Sequence, residues 1–164
     1  MEGNQKRTKK YGIRIGLFIM LFLLGTGFRT STYSQENSTY IGSEACNDCH
    51  EEAYASFNKY AKKRHSYKSI QQMRKGLTDT EFQECLLCHT TGYGQPGGFV
   101  SISQTPHLKN LGCECCHGPG SVHADSEDPD DIKGKLSVTD CETCHNSERV
   151  ATFDYKPMIY GGAH

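Results

Sequence analysis

Four short motifs dominate the chemistry of this 164-residue chain, and together they use eight of its nine cysteines. Each motif is a Cys-x-x-Cys pair followed directly by a histidine, and the four copies begin at Cys46, Cys85, Cys113 and Cys141. On one turn of helix, positions i, i+3 and i+4 share a face. Both thiols and the imidazole of each copy can therefore bind the same prosthetic group. This spacing is the attachment signature of c-type haem.

In this chemistry the two thiols add to the vinyl groups of the haem as thioethers, and the histidine binds the iron as its proximal ligand. The attachment residues are Cys46, Cys49, Cys85, Cys88, Cys113, Cys116, Cys141 and Cys144. The proximal ligands are His50, His89, His117 and His145. Two Cys₄ zinc sites would leave the four histidines unexplained, and a disulfide scaffold of such tight rings would cross-link little. The motifs therefore predict four covalently bound haem c groups.

The remaining histidines match the number of distal positions that four haems require. They are His65, His107, His123 and His164. Four six-coordinate, bis-histidine irons would suit electron transfer because they leave no position for a substrate. A lone histidine can also serve a structural role, and Met73 and Met158 are alternative sixth ligands.

Cys115 stands between the two attachment cysteines of the third motif and belongs to no pair. One interpretation is a small buried residue in place of serine. The other is a free thiol able to form an intermolecular disulfide.

Residues 1–34 have the layout of a secretory signal peptide, with a positively charged front, the apolar run Ile15–Leu24, and a small, polar stretch ending at Ser34. The run is shorter than the ~20 apolar residues that span a bilayer comfortably. We therefore expect cleavage after Ser34 and a periplasmic or otherwise exported domain at residues 35–164. The alternative is an uncleaved membrane anchor through residues 13–28, with the domain facing the periplasm.

The predicted leader carries six of the 18 Lys and Arg residues and one of the 19 Asp and Glu residues. Residues 35–164 are therefore acidic, with a net charge of −6, which argues against nucleic acid as a partner. They also lack tryptophan and are too polar to bury a large core, so the haems must supply much of it.

The elements that position the motifs are predicted to be short. Ser43 is a predicted N-cap for a helix through the first motif, which continues to His65. The segments Thr90–Pro106 and His123–Lys135 read as loops, the first with at most a short hairpin. The predicted fold class is mainly α and haem-dominated, with short helices and long loops wrapped around four closely packed haems and little sheet.

A basic cluster lies beside His65. Its members are Lys59, Lys62, Lys63, Arg64 and Lys68. It is either a solvated face that neutralises haem propionates or a docking patch for an acidic redox partner.

Three stretches carry a family resemblance: YIGSEACNDCHEEAYASF, CLLCHTTGYGQPGGF and TPHLKNLGCECCHGPGSVH. From about Tyr40 to the C-terminus, the chain resembles the tetrahaem cytochrome c family typified by the electron acceptor of hydroxylamine oxidoreductase in ammonia oxidation. Members usually carry Ser or Ala where Cys115 stands. The resemblance implies a mostly α-helical fold around stacked haem pairs, with distal ligands supplied by remote parts of the chain.

Carried over by matching motif, the resemblance implies a distal ligand for three haems. His123 would bind the Cys46/Cys49 haem, His65 the Cys113/Cys116 haem, and His164 the Cys141/Cys144 haem. In the type member the Cys85/Cys88 haem is five-coordinate, whereas here His107 is available to close it or to sit near it.

The leading hypothesis is an exported carrier of single electrons between redox partner proteins, in an anaerobic or nitrogen-cycle type respiratory chain. One alternative is a small reductase of nitrogen oxides or hydroxylamine at an open Cys85/Cys88 haem. Another is a subunit of a larger multihaem complex or filament, which would make the protein an oligomer.

Overall fold

A computed structural model describes residues 37–147 of the chain. The predicted leader, Met158 and His164 lie outside these residues. Six α-helices are present in the described part: α1 Glu51–Tyr60, α2 Ser66–Met73, α3 Asp79–His89, α4 Glu114–His117, α5 Ser121–Ser126 and α6 Val138–Glu142. Five 3₁₀ segments join them, at Ala45–Asp48, Lys62–His65, Arg74–Gly76, Pro106–Leu108 and Pro129–Asp131. Residues 37–147 contain no strand, and the prediction of a mainly α fold is confirmed.

The predicted helix through the first motif is interrupted twice. The motif itself is a 3₁₀ segment, Ala45–Asp48, and α1 ends at Tyr60 because the buried residue Ala61 has an extended backbone. The prediction that Ser43 is the N-cap was wrong, because Glu44 occupies that position. The hydroxyl of Ser43 instead accepts a hydrogen bond from the amide of Cys113 at 2.9 Å, and so joins the first motif to the third.

The longest helix within residues 37–147, α3, carries the second motif at its C-terminal end. It begins with a capping box in which Thr78 Oγ1 accepts from the amide of Glu81, and the Glu81 carboxylate accepts from the amide of Thr78. These bonds satisfy two backbone N–H groups that the first turn of a helix leaves without partners. The helix is therefore fixed at its start and delivers Cys85, Cys88 and His89 from its last turn.

The apolar core of the described residues is small and lies around α2, α3 and the loop after the second motif. Its buried members are Ile70, Leu86, Phe99 and Leu108, and the side chains packed against it include three tyrosines and Phe82. Leu108 has no exposed surface. A core of this size stabilises a chain only weakly, as expected where a bound group must complete the interior.

The long segment between the second and third motifs is a loop, as predicted, and main-chain hydrogen bonds order it. Thr91 donates to the carbonyl of Leu108 and accepts from the amide of Phe99, both at 2.9 Å. A Cβ at Gly98 would lie 1.7 Å from the carbonyl oxygen of Gly92, so glycine is required there. This close backbone contact folds the loop back on itself just after the end of α3.

Candidate haem-binding sites

Each of the four motifs is closed by a single turn of helix, as the spacing predicted. The amides of His50, His117 and His145 donate to the carbonyls of the first cysteines of their motifs at 2.9, 3.1 and 2.9 Å. The second motif forms the last turn of α3. This turn brings both thiols and the imidazole of a motif to one face, which is the arrangement that covalent attachment to a haem requires.

The thiols of different motifs also interact, so the four motifs form one cluster. A hydrogen bond with Cys46 lowers the pKa of the Cys113 thiol to about 6, and the same bond raises the pKa of Cys46. Burial raises the pKa of Cys144 to about 12, and the nearby Cys88 thiol adds to that shift. Cys144 also experiences the charge of Cys116. The first motif therefore lies near the third, and the fourth lies near both the second and the third.

Three of the candidate histidines are oriented by main-chain carbonyls. The Nδ1 atoms of His89, His117 and His123 donate to the carbonyl oxygens of Ser66, Lys133 and Asp128 at 3.0, 2.7 and 2.8 Å. A carbonyl only accepts, so Nδ1 carries the proton in each ring and Nε2 has the lone pair. Histidines that bind metals have this second hydrogen bond, which fixes both the tautomer and the ring orientation.

The ring of His50, the last residue of the first motif, lies close to the ring of His123. Their centroids are 6.1 Å apart and their planes are inclined by 22°. An imidazole nitrogen binds a transition metal at about 2.0–2.1 Å, so two imidazoles on opposite sides of one iron have centroids roughly 6 Å apart. The spacing therefore fits a bis-histidine iron, and the residues present fit a haem at the first motif.

The other candidate distal ligands are less closely paired with a motif. His65 is exposed and immediately precedes Ser66, whose hydroxyl donates to the carbonyl of His89 and accepts from the amide of Leu111. His65 is therefore anchored near both the second and the third motifs. Met73, the alternative ligand, is exposed at the end of α2.

His107 is exposed on the 3₁₀ segment Pro106–Leu108. Its ring lies against Gly42, where a Cβ would be 3.0 Å from His107 Cδ2. Within residues 37–147, His, Cys, Asp and Glu side chains form no group of three or more that could hold a metal ion by themselves. An iron bound by these histidines therefore needs the nitrogens of a haem as its remaining ligands.

Of the basic cluster, Lys63 is the member whose charge acts on the motifs. Burial lowers the pKa of His145, and the positive charge of Lys63 lowers it further. The same charge contributes to lowering the pKa of Cys116 to about 6, after a larger effect of its hydrogen bond with Cys115. Lys63 is therefore placed to neutralise negative charge beside the third and fourth motifs.

Cys115 is exposed, and its Sγ lies 3.7 Å from Sγ of Cys116. Although part of its surface is exposed, the hydrogen bond with Cys116 and burial among neighbouring groups both raise the pKa of the Cys115 thiol. The interpretation as a small buried residue therefore stays open. The free-thiol interpretation stays a prediction.

The sequence analysis missed Glu114, the second residue of the third motif. Only 2% of its surface is exposed, although the equivalent Glu142 of the fourth motif is exposed. Its Oε1 accepts from the amides of Ile41 and Gly120 at 3.0 and 2.8 Å, and its Oε2 accepts from the amide of Gly42 at 2.7 Å. Burial raises the pKa of Tyr40, and the negative charge of Glu114 adds to that rise.

These motifs, each a single turn of helix and two of them with a histidine oriented by a main-chain carbonyl, are those of a c-type cytochrome. Residues 45–118 match the family described as cytochrome c554 and c-prime. A relative, cytochrome c-554 of Nitrosomonas europaea, is 33% identical over 94 residues, which are 51% of this chain and 40% of the relative. These matches support the resemblance to this cytochrome family, and the chain spans less than half of its relative's length. No solved structure matches the chain.

The helices of the described part are too short or too polar to cross a membrane.

Proposed function

We propose that the chain is an exported tetrahaem cytochrome that carries single electrons between redox partner proteins. The observation that carries this proposal is the clustering of four one-turn haem motifs, whose thiols are near enough to shift one another's pKa values. Haems attached to adjoining motifs would lie close together, and close haems pass electrons in sequence. The chain's own contribution is the choice of ligands, the hydrogen bonds to them and the burial of the site, which set each reduction potential.

The proposed sites are those that the sequence predicted. The eight paired cysteines attach the haems, the histidine of each motif is the proximal ligand, and His65, His107, His123 and His164 are the candidate distal ligands. The spacing of the His50 and His123 rings supports the assignment of His123 to the Cys46/Cys49 haem. The hydrogen bonds of Ser66 place His65 near the third motif, to which the resemblance assigns it, and equally near the second.

The direct test is a count of haems and of their spin states in the purified, matured protein. Intact mass should show four haem additions that survive acid extraction, because thioether bonds are covalent. A visible and electron paramagnetic resonance spectrum should show low-spin, six-coordinate iron at the bis-histidine sites. Three or fewer additions in a fully matured sample would contradict the proposal.

The coordination of the Cys85/Cys88 iron distinguishes an electron carrier from an enzyme, because only an open iron can bind a substrate. If His107 binds the Cys85/Cys88 iron, the wild type is entirely low-spin, and His107→Ala creates one high-spin haem that binds carbon monoxide when reduced. If the wild type already contains one high-spin haem and the substitution changes nothing, His107 is not a ligand. The alternative of a nitrogen-oxide or hydroxylamine reductase at this iron is then tested by turnover with those substrates.

The nature of the partners follows from the same proposal. A periplasmic carrier meets soluble or membrane-bound redox proteins, and Lys63 with its basic neighbours offers an acidic partner a contact beside the third and fourth motifs. The alternative is assembly into a larger complex or filament. Measuring the size of the purified holoprotein in solution tests it.

A further inference from the structure

Glu114 joins the two chain segments that carry the neighbouring rings of His50 and His123. It lies in the third motif, yet none of its three hydrogen bonds is to that motif. We propose that Glu114 is a positioning residue for the iron of the first haem, an inference that rests on the proposed haem-binding function. It acts by fixing the separation of the two imidazoles and by placing a buried negative charge beside the site.

The connection from Glu114 to His50 runs through successive turns. Glu114 Oε2 accepts from the amide of Gly42, and the carbonyl of Gly42 accepts from the amide of Ala45 at 3.2 Å. Cys46 follows, and its carbonyl accepts from the amide of His50 at 2.9 Å. Each turn is hydrogen-bonded to the next, so a movement of Gly42 is transmitted to the ring of His50.

The connection from Glu114 to His123 is shorter. Glu114 Oε1 accepts from the amide of Gly120 at 2.8 Å, and Gly120 is the N-cap residue of α5. The carbonyl of Gly120 accepts from the amide of Ala124 at 2.9 Å, which closes the first turn of α5 around His123. One carboxylate therefore holds the starting points of both ring-bearing segments.

The charge of Glu114 is buried without an ion-pair partner. The ion pairs found within residues 37–147 are Arg74–Asp79 and Lys133–Asp140, and neither includes Glu114. Three main-chain N–H groups take the place of water around the carboxylate. A fixed negative charge favours the more positive, oxidised state of a nearby iron, so Glu114 lowers the reduction potential of that haem.

The test compares Glu114→Gln with Glu142→Gln in the matured full-length chain. Both glutamates occupy the second position of a motif, but Glu142 is exposed, so it is a matched control. Glutamine keeps the size of the side chain, removes the charge and points an NH₂ donor at main-chain N–H groups. The measurements are intact mass, the electron paramagnetic resonance spectrum of the low-spin haems, and a redox titration followed in visible light.

A second variant, Gly120→Ala, changes the geometry without removing the charge. Gly120 has φ −105°, which alanine adopts, and the added Cβ would lie 3.3 Å from Glu114 Oε1. The carboxylate must then move by a few tenths of an ångström. If Glu114→Gln fails to mature, Gly120→Ala still tests whether the position of the Glu114 carboxylate affects the iron of the first haem.

We expect Glu114→Gln to retain four haems, to change or lose the low-spin signal of one haem, and to raise one reduction potential. Gly120→Ala should alter the same low-spin signal, and Glu142→Gln should match the wild type. The inference is overturned if Glu114→Gln matches Glu142→Gln in both spectrum and potentials, or if Gly120→Ala leaves the signal unchanged. A wild-type mass without haem would refute the proposed function instead, so the two failures are distinguishable.

Discussion

Replacement of His123 by alanine should convert one haem of four from low-spin to high-spin. The change removes a ring 6.1 Å from that of His50 and one hydrogen bond, from Nδ1 to the carbonyl of Asp128. A hydrogen bond of this kind contributes only about 0.5–1.5 kcal/mol, which is small beside the ~5–15 kcal/mol that stabilises a typical domain. The variant should therefore stay folded and report the loss of a ligand alone.

The assay is the stoichiometry of carbon monoxide bound to the reduced protein. His123→Ala should bind one more molecule per chain than the wild type, and the ferric protein should gain a high-spin signal from one haem. Asp125→Asn, an exposed position on the same helix, is the control and should behave as the wild type. Equal carbon monoxide uptake by His123→Ala and the wild type would refute the assignment of His123 as a distal ligand.

Four further predictions concern stability and maturation. Leu108→Ala should lower the free energy of unfolding by about 2–5 kcal/mol because the side chain is fully buried, whereas Val100→Ala at an exposed site should change it by less than about 0.5 kcal/mol in denaturant titrations. Thr78→Ala removes the capping box of α3 and should cost about 1 kcal/mol in the same assay. A lysine and two groups of its own helix cap lower the pKa of Asp140 from 3.8 to about 2, so the Asp140 carboxylate stabilises the fold above pH ~4. The difference in thermal midpoint between wild type and Asp140→Asn should therefore be constant near neutral pH and disappear as the pH falls toward 2; a difference that persists there would contradict the mechanism. Deletion of residues 1–34 should give colourless, poorly folded protein, and equal haem content with and without the segment would disprove the export requirement.

The sequence predicted what depends on local hydrogen bonds. Each motif forms one turn because the bonds join residues four apart, and the mainly α class follows from such short turns. The roles of Ser43 and Glu114 were missed because the hydrogen-bond partner of Ser43 and two of the three partners of Glu114 lie 70 or more residues away. No local pattern distinguishes a buried Glu114 from an exposed Glu142 at the same motif position.

The predicted loop His123–Lys135 shows the same limit. The structure instead has α5 at Ser121–Ser126 and a 3₁₀ segment at Pro129–Asp131. Acidic residues and the proline indicated a turn-rich loop, but α5 is held by contacts with the start of the described chain. Thr39 exchanges hydrogen bonds with Ser121 at 2.8 and 3.2 Å, and these are invisible in the local sequence.

This pairing of distant segments sets an order of events during folding. Ser38 donates to the carbonyl of Pro119 across 81 positions, and Thr39 pairs with Ser121 across 82. Closing a loop of that length is slow compared with forming a single turn, and it cannot begin before residues 119–121 have been synthesised. The first motif, complete at His50, is therefore made early, whereas the ring of His123 reaches its place beside His50 late. In the interval its thiols are accessible to whatever attaches the first haem.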